Sequence, residues 1–117
     1  MGVKQDMSLS RKQMTFSLNV ADLIFKANEL GIGLTFGHAW RDEDTQRRLV
    51  DKGLSKTMNS KHLSRLAVDF NFFIDGKLTY DKHKLQELGN YWESLNKSNR
   101  WGGNFKSFLD TPHFEMK

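Results

Sequence analysis

Nine consecutive residues, Leu66-Ala67-Val68-Asp69-Phe70-Asn71-Phe72-Phe73-Ile74, constrain the fold of this chain more than any other stretch. Leu66, Val68, Phe70, Phe72 and Ile74 alternate with Ala67, Asp69, Asn71 and Phe73, the period of a strand with one buried face. Asp75-Gly76 follows as a strong hairpin signal, and Lys77-Leu78-Thr79 returns as a short strand. A carboxylate inside so apolar a strand is costly to bury unless it is paired or bound to a cation. Asp69 therefore needs a partner. His62 lies seven residues upstream, and because seven is odd, strand alternation alone does not bring the two side chains together. A turn around Leu63 to Arg65 would.

A second acid–imidazole cluster, Asp110-Thr111-Pro112-His113-Phe114-Glu115, stands near the C-terminus. His113 and Glu115 are two apart and share a face if this end is extended. Two His and one Asp suit a catalytic zinc, which takes three protein ligands and keeps a fourth position open. Ala67, on the same face as Asp69, is small enough to leave room for an ion. His38 and His83 have no such partners and read as ordinary surface or core residues.

The flanking elements follow from periodicity. Ser10-Arg11-Lys12-Gln13 fits a capping box, and Met14, Leu18, Ala21, Ile24 (with Phe25) and Leu30 recur at helical spacing. They predict a first helix over 11–30, packed by that face and stopped by Gly31. Ile32, Leu34 and Phe36 predict a strand with one buried face. Asp42-Glu43-Asp44 places acids at the start of a second helix over 43–52, with Leu49 and Val50 inward and Gly53 at its end. Residues 54–61 read as a polar loop. Asp81 caps a third helix carrying Leu85, Leu88, Trp92 and Leu95. Trp101-Gly102-Gly103-Asn104-Phe105 and 113–116 read as short extended ends. The order α, β, α, β-hairpin, α, β, β predicts an α+β fold, a small, mostly antiparallel sheet with flanking helices on one side.

At 117 residues the chain fits a single domain over 1–117, with residues 1–9 as a loosely held polar lead-in. Cysteine is absent, so disulfides, thiol nucleophiles and Cys-ligated metals are excluded. The net charge of +4 suits an anionic partner such as a bacterial wall. The basic residues are scattered, which argues against nucleic acid as the partner. No apolar run reaches a membrane span, and the first eleven residues lack the apolar core of a signal peptide.

Ser60-x-His62-x-x-Arg65-x-Ala67-x-Asp69 resembles the Ser-x-His-x-x-Gly-x-Ala-x-Asp signature of the D-Ala-D-Ala carboxypeptidase / L-alanyl-D-glutamate endopeptidase family of zinc peptidases. Asp110-Thr111-Pro112-His113-Phe114-Glu115 resembles that family's second signature. The similarity spans roughly residues 30 to 117, and the family shares its fold with the hedgehog signalling domain. The resemblance implies a hedgehog/DD-peptidase-like fold and one Zn2+ per chain on His62, Asp69 and His113. It implies Asp110 as general base and Arg41, within Trp40-Arg41-x-x-x-x-Gln46, as the group that binds substrate and steadies the oxyanion. Ser60 and Glu115 match positions behind the ligands. Arg65 departs from the pattern by standing where glycine is usual. If that glycine has positive φ in the family, Arg65 is strained or the turn differs.

Other readings of the helper residues stand beside these. Arg41 could cap the second helix or pair with Asp42 or Glu43, and Glu115 could be a surface acid. Trp101-Gly102-Gly103 could be a packing turn, although its place beside the second cluster suggests that Trp101 borders the substrate cleft. The chain lacks a His-Glu-x-x-His helix and so is no zincin. The expected function is cleavage of peptidoglycan stem peptides, by analogy with short phage and prophage endolysins as an L-alanyl-D-glutamate endopeptidase. The alternatives are a D-Ala-D-Ala carboxypeptidase or dipeptidase, and a non-catalytic hedgehog-like zinc module. The expected context is a monomer without stable membrane association, made in a host cytoplasm and acting at the wall or periplasm after release.

Overall fold

The computed structural model of the chain describes residues 8–117. Its elements are α1 (Leu9–Glu29), β1 (Gly33–Phe36), α2 (Glu43–Asp51), β2 (Ala67–Ile74), β3 (Lys77–Thr79), α3 (Lys82–Leu95), β4 (Asn99–Trp101), a 3-10 turn (Gly102–Asn104) and β5 (His113–Met116). The expected lead-in over 1–9 falls outside the described residues up to position 7. Beyond it, Ser8 already caps α1 and Leu9 begins the helix.

The strand at the centre is β2. All pairings are antiparallel, in the order β1-β2-β5-β4, with β3 folded back on β2 through the hairpin. Asp75 and Gly76 both take positive φ, 53° and 74°, as a two-residue turn matched to strand twist requires. Leu66, Val68, Phe70 and Phe72 are all buried, as their alternation predicts. Phe114 of β5 packs among the rings of Phe70, Phe72, Trp92 and Trp101, with centroids 5.8 to 6.4 Å away. Leu85, Leu88 and Trp92 of α3 close this core, and Phe16 of α1 meets Trp92 edge-on at 5.6 Å.

Four expectations are corrected. The N-cap of α1 is Ser8, whose side chain accepts from the Arg11 amide, and not Ser10. The helix buries Phe16, Leu23 and Ala27, whereas Met14, Leu18 and Phe25 are 59%, 68% and 73% exposed. Both stripes of α1 are apolar at helical spacing, and only the one meeting Trp92 is covered. Along β1 and the residue before it the burial fades outward, from buried Ile32 through half-buried Leu34 to exposed Phe36. Helix α2 turns a polar residue inward: Gln46 is fully buried, and Leu49 and Val50 only half so.

Candidate active site

The register of β2 against β5 builds the site. Val68 pairs with Phe114 and both face the core. Asp69 therefore stands opposite His113, and Ala67 opposite Glu115, on the other face. His62 arrives by a tight turn over residues 60–66, closed by Leu63 N–H to Ser60 O, Ser64 N–H to Lys61 O and Leu66 N–H to Lys61 O. The turn passes through Arg65 at φ 59°. This is the reversal that a separation of seven residues demanded.

His62 Nε2 lies 3.3 Å from Asp69 Oδ1, and His113 Nδ1 lies 3.1 Å from the same oxygen. Together the three residues offer ligand atoms all within 4.8 Å of one another. Each imidazole is held at its other nitrogen. His62 Nδ1 is 2.7 Å from the Ala39 carbonyl, so it carries the proton and Nε2 is left bare. His113 Nε2 is 2.7 Å from Glu115 Oε1. His62 Nε2 is buried without a hydrogen-bond partner despite its closeness to Asp69. A bare imidazole nitrogen, desolvated and aimed at a carboxylate, fits a divalent cation and is otherwise costly. The donor set, two imidazoles and one carboxylate, is that of a catalytic zinc site.

The charges are set by burial and by these neighbours. Burial opposes the Asp69 carboxylate, but the hydrogen bond and charge of His113 outweigh it, holding Asp69 well below the usual carboxyl range. Burial likewise opposes a charged His113, yet Asp69 and Glu115 on either side push it up to about 9. Glu115 is held low, against its burial, by His113 and by Arg100, whose guanidinium hydrogen-bonds Oε2 through both Nε and Nη2. Asp110 moves the other way, raised chiefly by burial. A carboxyl raised toward neutrality is the kind that exchanges protons in catalysis.

Arg41 neither caps α2 nor pairs with its acids; Asp42 does the capping. Its Nε donates to His38 Nδ1 at 2.8 Å, Nη1 to Gln46 Oε1 at 3.0 Å and Nη2 to Asp69 Oδ2 at 3.3 Å. Gln46 is in turn fixed to Ser55 Oγ and the Thr57 carbonyl at 2.8 and 2.6 Å. Ser60 Oγ accepts from the His62 amide at 3.2 Å and steadies the turn. Arg41, Ser60, His62, Asp110, His113 and Glu115 line one cleft of about 370 Å³, walled by residues 54–61 and by Phe105 and Phe108.

Trp101 is a correction. It is fully buried, its Nε1–H donates to the Thr111 carbonyl at 2.8 Å, and it belongs to the core beneath the site, not to the cleft wall. The packing-turn reading of Trp101-Gly102-Gly103 holds. A Cβ on Gly103 would stand 2.2 Å from the Trp101 ring, and one on Gly102 would stand 2.1 Å from the Asp110 carbonyl oxygen. Gly102 thereby lets the Asp110 backbone approach, and the Asp110 amide donates to its carbonyl at 2.9 Å.

A family model described as D-alanyl-D-alanine carboxypeptidase matches residues 54–116, more than half of the chain. The chain belongs to this family. It is a peptidase that acts on peptidoglycan, and the matched span contains His62, Asp69, Asp110 and His113, with Arg41 upstream of it. The crystal structure of the L-Ala D-Glu endopeptidase ChiX of Serratia marcescens has the same small α+β fold. It superposes with a TM-score of 0.69 at 21% identity, over 97% of this chain and 94% of that one. No curated protein matches the sequence.

Sequence reasoning missed several residues in or beside the cleft of this family member. His38, read as ordinary, is exposed and holds Arg41 by its Nδ1. Its position three residues before Arg41 was the available signal. Arg100 pairs with Glu115 across β4 and β5, and alternation on those two strands would have placed both on one face. Lys56, Lys61 and Phe108 come from loops, which carry no such pattern. His83 is exposed on α3, apart from the cleft, as expected.

Proposed function

We propose that this peptidase is a zinc-dependent L-alanyl-D-glutamate endopeptidase of the endolysin type, cutting peptidoglycan stem peptides. The observation that carries the metal and the chemistry is the convergence of His62, Asp69 and His113 beside one cleft that Asp110 and Arg41 also line. The likeness to an L-Ala D-Glu endopeptidase over nearly the whole of both chains supports the choice of bond. The reading extends to a monomer without nucleic-acid partner or stable membrane association, made in a host cytoplasm and acting at the wall or periplasm after release. Among the described residues no helix is long and apolar enough to cross a membrane.

His62 Nε2, Asp69 and His113 Nδ1 would hold the zinc. When bound, it supplies a water acidic enough to ionise near neutral pH and a Lewis acid for the scissile carbonyl. The chain does the rest. Asp110, as carboxylate, accepts the proton of the attacking water and returns it to the leaving amine nitrogen. Arg41 directs its guanidinium to the oxyanion that develops on the carbonyl, held by His38 and Gln46 so that little reorganisation is needed. Glu115 keeps the proton on His113 Nε2, so that Nδ1, which otherwise bonds Asp69, is the nitrogen that would face the metal.

The family model's own description favours a second reading, removal of a terminal D-alanine. Mass spectrometry of digested muropeptides separates the two. Cleavage after L-alanine is expected, and release of D-alanine alone would exclude the endopeptidase. Run in parallel, Asp110→Ala should keep zinc and fold while losing about 100- to 10,000-fold in rate. His62→Ala should lose the zinc as well. An active Asp110→Ala enzyme would remove that residue from the base role.

A further inference from the structure

Arg65 occupies the glycine position of the first motif with its backbone in the left-handed region, φ 59°. A residue with a Cβ is strained there, and such strain persists where the surroundings over-determine it, often beside a functional site. Its side chain forms no ion pair among the described residues. The guanidinium carbon stands instead 4.6 Å from the centre of the Trp40 ring. Trp40 is half exposed, so burial does not fix it, and it is the residue before Arg41. Residues 37–42 form no helix or strand.

Two backbone contacts close a ring. The His62 carbonyl accepts from both the Arg41 and the Arg65 amides, each at 3.3 Å. The circuit runs from Trp40 through the peptide bond to Arg41, across to His62, along the turn to Arg65, and back through the stacked guanidinium to Trp40. The neighbouring Ala39 carbonyl meets His62 Nδ1 inside the same circuit. We propose that Arg65 is a positioning residue: by stacking on Trp40 it clamps residues 39–41 against the metal-ligand turn and so aims the Arg41 guanidinium. The kinetic part of this inference rests on the peptidase reading above.

Glycine separates the clamp from a plain structural role, because Arg65→Gly relieves the backbone while removing the stacking group. In zinc-loaded protein, Arg65→Gly should keep or raise the melting temperature. Its kcat should fall about tenfold, a fraction of the 100- to 1000-fold expected for loss of an oxyanion donor itself, with KM changed less than about twofold. Arg65→Lys, which can still stack a cation on Trp40, should recover most of the rate. Arg41→Ala/Arg65→Gly should be no slower than Arg41→Ala alone, since the clamp acts only through Arg41. Amide hydrogen exchange at Trp40 and Arg41 should be faster in Arg65→Gly than in wild type. Wild-type rate and exchange in Arg65→Gly, or losses that multiply in the double variant, would overturn the clamp. If the wild-type protein turned over no muropeptide, the endopeptidase reading would fail, and exchange at Trp40 and Arg41 would decide the clamp alone.

Discussion

Glu115 decides which nitrogen of His113 is available to a metal. Its Oε1 lies 2.7 Å from Nε2, and Arg100 holds its other oxygen. Glu115→Gln still reaches the ring but no longer stabilises its proton by charge. Zinc affinity should fall about 10- to 100-fold, measured by competition with a chromophoric chelator, while the fold remains. The same residues set a pH dependence. In metal-free protein the pKa of His113, about 9, lies above its ordinary 6.5. The stability its charge contributes is therefore complete below about pH 6.5 and is lost as the pH rises through about 9. Asp69 is shifted the opposite way, so its contribution is present above its ordinary 3.8 and lost in stronger acid. The melting temperature of metal-free protein should thus hold between these limits and drop on the alkaline side. A metal-free melting temperature that rose from pH 7 to pH 10 would contradict the bridged His113. Loading with zinc must displace the shared proton, so calorimetry below pH 9 should register its release.

At the scale of elements, the 3-10 turn places Asp110 by being glycine-rich. Gly102→Ala would push a methyl to within 2.1 Å of the Asp110 carbonyl oxygen, a backbone atom that cannot swing aside. The expected outcome is a folded, zinc-binding protein with lowered kcat, since Asp110 moves and the ligands on β2 and β5 do not. Gly89→Ala on α3 is different. Its Cβ would lie 2.0 Å from the Trp101 ring in the core, so it should destabilise by about 1–3 kcal/mol or more in denaturant titration, as overpacking does. These contacts were not legible in the sequence, because glycine spacing does not say which ring will fill the gap. The strands were legible: alternation in β2 assigns its two faces and the Asp75-Gly76 turn sets its register against β3, whereas the pairing with β5 that brings Asp69 to His113 is a long-range contact. Helix α1 was only half legible. Its periodicity announces a helix, but Met14, Leu18 and Phe25 form as good a stripe as Phe16, Leu23 and Ala27, and the choice belongs to Trp92. Arg41 shows the same division, its role carried by family resemblance and its partner Asp69 visible only once loop and strand meet.

Across the whole molecule, the cleft carries positive charge that its own residues do not neutralise. Arg41 is paired with Asp69 and Arg100 with Glu115, while Lys56 and Lys61, which line the same cleft, form no ion pair among the described residues. Lys56 Nζ lies 5.1 Å from the centre of the Phe108 ring, linking the two loops that wall the opening. On the proposed endopeptidase reading, the scissile nitrogen and a free carboxylate of D-glutamate are carried on the same carbon, so that carboxylate would lie within the cleft when the bond is cut. Converting it to a carboxamide removes the charge and leaves the shape nearly unchanged. Exposed cation–carboxylate pairs contribute about 0.2–1 kcal/mol each, so two lysines amount to roughly a 2- to 30-fold preference in kcat/KM for the acid over the amide. The preference should shrink as salt is raised, because exposed charges are screened. It should largely vanish in Lys56→Gln/Lys61→Gln, whose rate on the amide substrate should match wild type. Equal turnover of acid and amide by the wild-type enzyme at low salt would show that these lysines are solvated surface and that the cleft reads the stem peptide by shape.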